Sequence, residues 1–178
     1  MPTGLKTQTV SGIATQTNAF PALATPAATA TAAATVSRAT TAAGANTAPQ
    51  VSITRLAICR EVRRYEDYTE MDRHKLRAGQ PLLLYSALDF CQHMAIADGF
   101  RTMTESQVQI LSRSGQVLAK QSLGTAVDVA RSPRRDYFLS HALTIPENLP
   151  SGDYVLQVLV HDLIGKQTAH STIDFRIP

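Results

Sequence analysis

The sequence predicts an all-β protein, an antiparallel sandwich of about seven strands. Two observations carry this prediction: apolar and polar residues alternate along several short runs, and turn-forming residues separate these runs at short intervals. No long run has the 3.6-residue apolar period of a helix. The prediction places a disordered tail in residues 1–50 and the sandwich in residues 51–178.

The C-terminal segment 149–177 contains the strongest strand pattern. Tyr154 opens one alternating run and Ile173 opens a second, so both predict strands with one buried face. A reversal centred on Ile164-Gly165, as a two-residue turn or a four-residue loop, aligns their apolar side chains. The predicted facing pairs are Tyr154 with Phe175, Leu156 with Ile173 and Val158 with Ser171.

Gly152-Asp153-Tyr154 places a tyrosine at the start of the second-last strand. This arrangement is typical of the tyrosine corner of immunoglobulin-like folds, in which the hydroxyl bonds back to nearby backbone. We therefore expect an immunoglobulin-like sandwich.

The remaining strands are predicted by the same patterns. From Val51 a strand begins whose apolar spacing slips between Ile53 and Leu56, which indicates a bulge or a strand that changes sheets. The nearly continuous apolar run Pro81–Phe90 is typical of a central strand that is covered on both faces. Further predictions are a hairpin of residues 103–111 and 117–123, a loop over residues 124–133 and a strand from Tyr137 to Ile145.

Residues 60–77 combine many charges with an apolar residue at every third position. They could form one or two turns of helix with a narrow apolar stripe, or a solvated connection held to the domain by its aromatic residues. The third interpretation is a partner-binding surface, for which Tyr65 and Tyr68 are the candidate residues.

Composition separates the tail from the rest of the chain. Residues 1–50 are rich in Ala, Thr and Pro, and Lys6 and Arg38 are their only charges. A few apolar residues, such as Phe20 and Leu23, could form a short docking segment there. Residues 51–178 then hold 15 Lys and Arg against 14 Asp and Glu. This near-neutral balance predicts that nucleic acid is not a partner.

The sequence predicts no membrane span, because no apolar stretch approaches the ~20 residues that a spanning helix needs. The N-terminus also lacks the apolar core of a signal peptide. The protein would then be cytoplasmic, or exported if the true start lies upstream. Cys59 should face residue 83 on a neighbouring strand, which leaves Cys91 too distant for a disulfide, so we expect two free thiols.

Candidate chemical sites are few, and no nucleotide, esterase-elbow or zinc motif is present. Asp89, Cys91 and His93 would project to one side if they shared a strand, but three ligands on one strand converge poorly on a metal. His161 and His170 should be diagonal neighbours on one sheet face.

A lone His141 on an apolar face is more typical of a buried side chain than of a general base. We therefore predict no catalytic residue, no metal and no cofactor. Arg134 and Arg135 precede the same strand; they either guard its end against edge pairing or engage a carboxylate on a partner.

Four segments together resemble an uncharacterised bacterial family of planctomycete type. They are Leu56–Cys59, Ala78–Tyr85, Arg134–Phe138 and Gly152–Gln157, and Arg134–Phe138 is the most specific of them. The resemblance covers about residues 51–178 and implies an immunoglobulin-like sandwich without a known activity. Val129 stands where relatives often have a cysteine, so a pairing of that position with Cys59 does not exist here.

These observations favour a non-catalytic interaction or structural module on a flexible tether, with a protein partner. Its candidate interaction surface comprises Arg134, Arg135, Tyr65 and Tyr68. The alternative is a carbohydrate-binding accessory domain that uses exposed Tyr65 and Tyr68. An enzyme that uses His141, or the set of Asp89, Cys91 and His93, is the third hypothesis, and fold alone supplies no chemistry for it.

Overall fold

The computed structural model describes residues 18–19, 49–135 and 137–178; of residues 18–19 only the backbone is described. These residues form strands and contain no helix. No helix that could cross a bilayer occurs in the described part of the chain. The strands are β1 (Asn18–Ala19), β2 (Ser52–Arg64), β3 (Asp67–Glu70), β4 (Pro81–Asp89), β5 (Met94–Ile96), β6 (Gly99–Ser112), β7 (Val117–Ala130), β8 (Tyr137–Thr144), β9 (Gly152–Asp162) and β10 (Gln167–Ile177). Nearly all of the predicted tail lies outside the described residues.

Two sheets contain these strands. Sheet A has the order β1-β8-β4-β2-β3. Sheet B has the order β10-β9-β6-β5, and β7 also pairs with β6. All pairings are antiparallel except that of β1 with β8. The prediction of an all-β fold is confirmed, and the seven long strands are the seven that the sequence predicts. The two sheets are consistent with a sandwich, and its immunoglobulin-like type stays a prediction.

One apolar core lies between the sheets. It combines inward side chains of sheet A, such as Leu84 and Leu143, with inward side chains of sheet B, such as Val108, Leu156 and Phe175. Burial alternates along β8 and β9 at period two, as a strand with one face toward a core requires. Since a buried Val, Leu, Ile or Phe contributes ~1.5–3 kcal/mol, this layer is the main source of stability.

The C-terminal hairpin has the predicted register. Tyr154 pairs with Phe175, Leu156 with Ile173 and Val158 with Ser171. The reversal is the four-residue alternative, because β9 ends at Asp162 and β10 begins at Gln167. The Tyr154 hydroxyl donates a 2.7 Å hydrogen bond to the Pro150 carbonyl, which is the contact expected of a tyrosine corner.

Sheet A also follows the sequence pattern in its central part. A register shift between Ile53 and Arg55 forms the expected bulge. Cys59 pairs with Leu83 of β4, as the sequence predicts, and both cysteines are free thiols. The strand β4 lies between β2 and β8 and is covered on both faces.

Two segments differ from their predictions. Residues 60–70 form a hairpin rather than helical turns, because β2 continues to Arg64 and pairs with β3. Exposed ion pairs of Arg63 with Glu61 and Asp67 connect these charged residues, so the strand contains charges without burying them. Residues 124–130 of the predicted 124–133 loop are instead the second half of β7, which passes through a register shift opposite Ser106 and Gln107, next to Gly124.

Candidate functional site

Tyr65 and Tyr68 cover the outer face of sheet A. The Tyr68 ring lies 4.4 Å from the Tyr85 ring between centroids, and Tyr65 lies 6.4 Å from Phe138. The tip of the β2–β3 hairpin also contacts this face, because the Glu66 N–H donates a 3.0 Å hydrogen bond to the Tyr85 hydroxyl. These contacts bury Tyr85 completely, so the hairpin protects a second, smaller apolar cluster.

The exposure expected for both tyrosines is therefore wrong: each is half-buried. The Tyr68 hydroxyl also accepts a 2.8 Å hydrogen bond from Arg55 Nε, and Arg55 pairs with Glu70 at 3.1 Å. A sugar-binding platform needs an open ring face, whereas these rings pack in tilted contacts against other aromatic rings of the chain. Of the three interpretations of residues 60–77, this geometry favours a connection held to the domain by its aromatic residues.

Arg134 and Arg135 have different surroundings, although both are exposed. Arg134 Nε lies 3.4 Å from Asp128 Oδ2, and the Asp128 side chain is only 9% exposed. Arg134 therefore compensates a nearly buried carboxylate on β7 and holds the β7–β8 connection against the sheet. No ion pair of Arg135 is present among the described residues.

His141 lies in the apolar core on the inner face of β8, next to Leu139 and Leu143, and is 5% exposed. Burial lowers the pKa of its imidazole from 6.5 to about 4, so the ring is neutral at pH 7. Its Nε2 has no hydrogen-bond partner in the described part of the chain. A substrate in solution cannot reach a side chain that is enclosed in this way.

Asp89, Cys91 and His93 do not share a strand, because β4 ends at Asp89 and Phe90 has a left-handed φ of 61°. The chain turns there, Cys91 packs against the core and the His93 ring packs edge-on against Phe100 at 5.3 Å. Within the described ranges no cluster of three or more His, Cys, Asp or Glu could hold a metal. Burial raises the pKa of the Cys59 and Cys91 thiols to about 12, so both stay protonated.

His161 and His170 are diagonal neighbours in the register of β9 and β10, as expected, since Thr168 pairs with His161. The Thr168 hydroxyl lies 2.8 Å from His161 Nδ1. A groove of about 380 Å³ opens beside this pair, and Glu105, Leu163 and Lys166 also line it. The buried Asp162 carboxylate shapes the groove floor by accepting backbone N–H groups of Gln92, Ile164 and Gly165 at 2.7–3.0 Å.

The most prominent surface feature lies beside this groove, on the outer face of sheet B. The exposed large apolar residues here are Met94 (46%), Leu163 (40%), Val127 (52%) and Val129 (50%), which are four of the six in the described residues. Cross-strand pairs place them together, because Arg101 pairs with both Met94 and Val129, and Met103 pairs with Val127. The Leu163 N–H donates to the Met103 carbonyl. We use the name end patch for Met94, Arg101, Met103, Val127, Val129 and Leu163.

Arg101 is the charged member of the end patch. Its side chain lies in the row between Met94 and Val129, and its Nε is out of contact with water and has no hydrogen-bond partner in the described residues. The guanidinium keeps its charge, and charge-assisted hydrogen bonds to a carboxylate are roughly twice as strong as neutral ones. Sequence patterns gave no sign of this surface, because Val127 and Val129 fell within a predicted loop.

Comparisons with protein-family models and with curated proteins give no match. The resemblance to a planctomycete-type family therefore stays a prediction. Among solved structures, the chain is similar to Pseudomonas fluorescens alkylpurine DNA glycosylase AlkC bound to DNA containing an abasic site analog. The TM-score is 0.40 with 13% sequence identity, over 72% of this chain and 30% of the glycosylase chain.

The similar structure is that of a protein bound to DNA, and the prediction that nucleic acid is not a partner is corrected as an exclusion, because a near-neutral net charge does not exclude a local binding surface. The net charge of residues 51–178 was not a sufficient basis for that exclusion. A net charge sums over the whole surface, whereas binding depends on the local arrangement of charges and on surface shape.

Replacement of Arg134 by alanine tests the structural role of its ion pair. Arg134→Ala leaves the Asp128 carboxylate nearly buried without its cation, so we expect the free energy of unfolding to fall by ~1 kcal/mol. Arg135→Ala is the matched control and should change it by less than ~0.5 kcal/mol. Urea unfolding measures both; equal values for the two variants would contradict the assignment.

The lowered pKa of His141 predicts a pH dependence of stability. The folded-state pKa of about 4 lies below the ordinary 6.5. As pH falls from 6.5 to 4, the unfolded chain takes up a proton that the folded chain does not, so stability present above pH 6.5 is lost. His141→Leu should remove ~2–3 kcal/mol of this loss.

Urea unfolding at pH 7 and pH 4.5 compares wild type, His141→Leu and the control His170→Gln, whose histidine is exposed. We expect the wild type and the control to lose stability in parallel and His141→Leu to lose less. The same loss in all three proteins would show that His141 titrates normally.

Proposed function

We propose that this chain is a non-catalytic β-sandwich interaction module that binds a protein partner through the end patch. The observation that carries the proposal is the concentration of exposed apolar side chains around Arg101 at one end of sheet B. Isolated apolar residues on a surface are ordinary, whereas contiguous ones mark interaction sites. The N-terminal tail would serve as the tether.

The chemistry of the end patch defines the partner. Its methionine and valine side chains favour an apolar surface, and methionine adapts its shape to the surface that it contacts. Arg101 favours a carboxylate placed at the centre of that surface, where water is excluded and the ion pair is strengthened. The groove beside Leu163 and Lys166 could accept one anchoring side chain. The partner is therefore a protein segment that combines apolar residues with an acidic one.

Three observations support a non-catalytic role. His141 is enclosed in the core, and the thiols of Cys59 and Cys91 stay protonated. Asp89 and His93 lie on either side of a change in chain direction. The carbohydrate-binding alternative is less favoured, because the Tyr68 ring packs against the Tyr85 ring and is half-buried.

Photo-crosslinking tests the proposal. A photoreactive amino acid replaces Val127 in the full-length protein, and nuclease-treated extract of the cells that encode it supplies the partner. We expect one dominant protein adduct that Arg101→Glu abolishes, because the reversed charge repels the partner's carboxylate. Arg60→Glu is the matched control, since Arg60 is an exposed arginine on another strand.

The control variant should keep the adduct at the wild-type yield. An adduct that survives Arg101→Glu, or one that equals the yield from a photoreactive residue at position 60, would contradict a binding role of the end patch. Thermal unfolding of each variant shows whether loss of the adduct reflects loss of the fold.

A further inference from the structure

The edge of β8 that faces away from β4 is a second candidate binding site; we call it the free edge, although two of its residues pair with β1. On one side β8 pairs with β4 along its whole length. On the other side it pairs in parallel with β1, with Asn18 opposite Leu143 and Ala19 opposite Thr144. The tail thus supplies a strand to an edge of the sandwich from a position far away in sequence.

The chemistry of β8 fits a strand-acceptor site. Its sequence Tyr137–Thr144 contains no Asp, Glu, Lys, Arg or Pro, which are the residues that usually protect a sheet edge from pairing. Where β1 pairs with β8, the outward side chains Ala142 and Thr144 are small, which leaves room for a neighbouring strand.

The other sheet edges have protections that β8 lacks. On sheet A, β3 is four residues long and its Asp67 and Glu70 are charged. On sheet B, the far edge of β10 is covered in part, because the Leu76 N–H donates to the Arg176 carbonyl and the Arg176 N–H donates to the Arg73 carbonyl. The strand β7 contains Lys120 and is interrupted by a bulge.

We propose that the free edge of β8 is a binding site for an extended peptide segment, and that its occupant is the segment around Asn18–Ala19 of the same chain. Recognition is by backbone hydrogen bonds, as in strand addition. This site goes beyond the proposed function, because it lies on sheet A and the end patch lies on sheet B.

Chain length permits occupancy within one molecule. The 32 residues from Phe20 to Val51 connect the segment to β2. Fully extended, a chain of this length spans about 110 Å, whereas a domain of about 130 residues has a radius of gyration of about 14 Å. Covalent attachment also gives an effective concentration of roughly millimolar, so at micromolar protein the segment of the same chain outcompetes that of a second copy.

The backbone geometry identifies the reporting amides. The Ile145 N–H donates to the Gln80 carbonyl toward β4, and the direction of N–H groups alternates along a strand. The amides of Ala142 and Thr144 therefore point to the free edge, while that of Leu143 points to β4. Thr144 faces the segment and Leu143 is an internal control.

Residue-resolved hydrogen exchange on the full chain tests the site. Asn18→Pro combined with Ala19→Pro removes two backbone donors from the segment. We expect the Thr144 amide to exchange at least ~10-fold faster, with Leu143 unchanged. Ala33→Pro combined with Ala34→Pro is the matched control in the same tail, and its Thr144 should exchange as in the wild type.

Two results would overturn the proposal. Equal exchange at Thr144 in the wild type and the Asn18→Pro/Ala19→Pro variant would show that the segment does not occupy the edge. Protection at Thr144 that rises with wild-type concentration would show that a second copy donates the segment. A synthetic peptide of residues 14–23, added to the variant, should restore protection where a scrambled peptide does not; failure to restore it would contradict an acceptor site.

Discussion

The register of β9 against β10 is the constraint on which the rest of the structure depends. It places Tyr154, Leu156 and Val158 on the inner face, and β10 contributes Phe175 to the same layer. A slip by one residue would turn the side chains of β9 that now face the core to solvent. The tyrosine corner fixes the start of β9, and the Tyr154 and Phe175 rings then pack at 5.5 Å between centroids.

Sheet A must be covered on both faces, since its strand β4 has apolar residues on both faces. The inner face meets the core, and the outer face is covered by the β2–β3 hairpin through Tyr68 and Tyr65. The aromatic residues that could have bound a partner thus stabilise the domain. The end patch then lies on the outer face of sheet B, and the strand-acceptor site lies on the edge of sheet A where β8 pairs with β1.

Sequence patterns predicted the parts of the fold in which one face is buried. The β9–β10 pairs follow from apolar alternation, the bulge near Ile53 follows from a slip in that alternation, and the pairing of Cys59 with Leu83 follows from the predicted strand ends. Alternation did not reveal the hairpin after Cys59, because charged residues there occupy both faces of a strand and pair with each other. The end of β7 was missed because Gly124 and Pro133 are also typical of a loop.

The candidate sites were predicted less well than the fold. Tyr65 and Tyr68 were expected on the surface, but a periodic pattern does not show that a hairpin folds back onto its own sheet. The end patch depends on cross-strand neighbours such as Arg101 and Val129, which lie 28 positions apart in sequence. The segment at Asn18–Ala19 has no apolar pattern at all, since strand addition uses the backbone.

Disulfide trapping measures the β9–β10 register most directly. Gln157 and Thr172 are paired and face outward, so Gln157→Cys combined with Thr172→Cys should form a disulfide under mild oxidation. Gln157→Cys combined with Ser171→Cys places the thiols on opposite faces and should not. Peptide mapping of a 157–172 disulfide in folded protein is the result that we expect, and a 157–171 disulfide would contradict the account of the core.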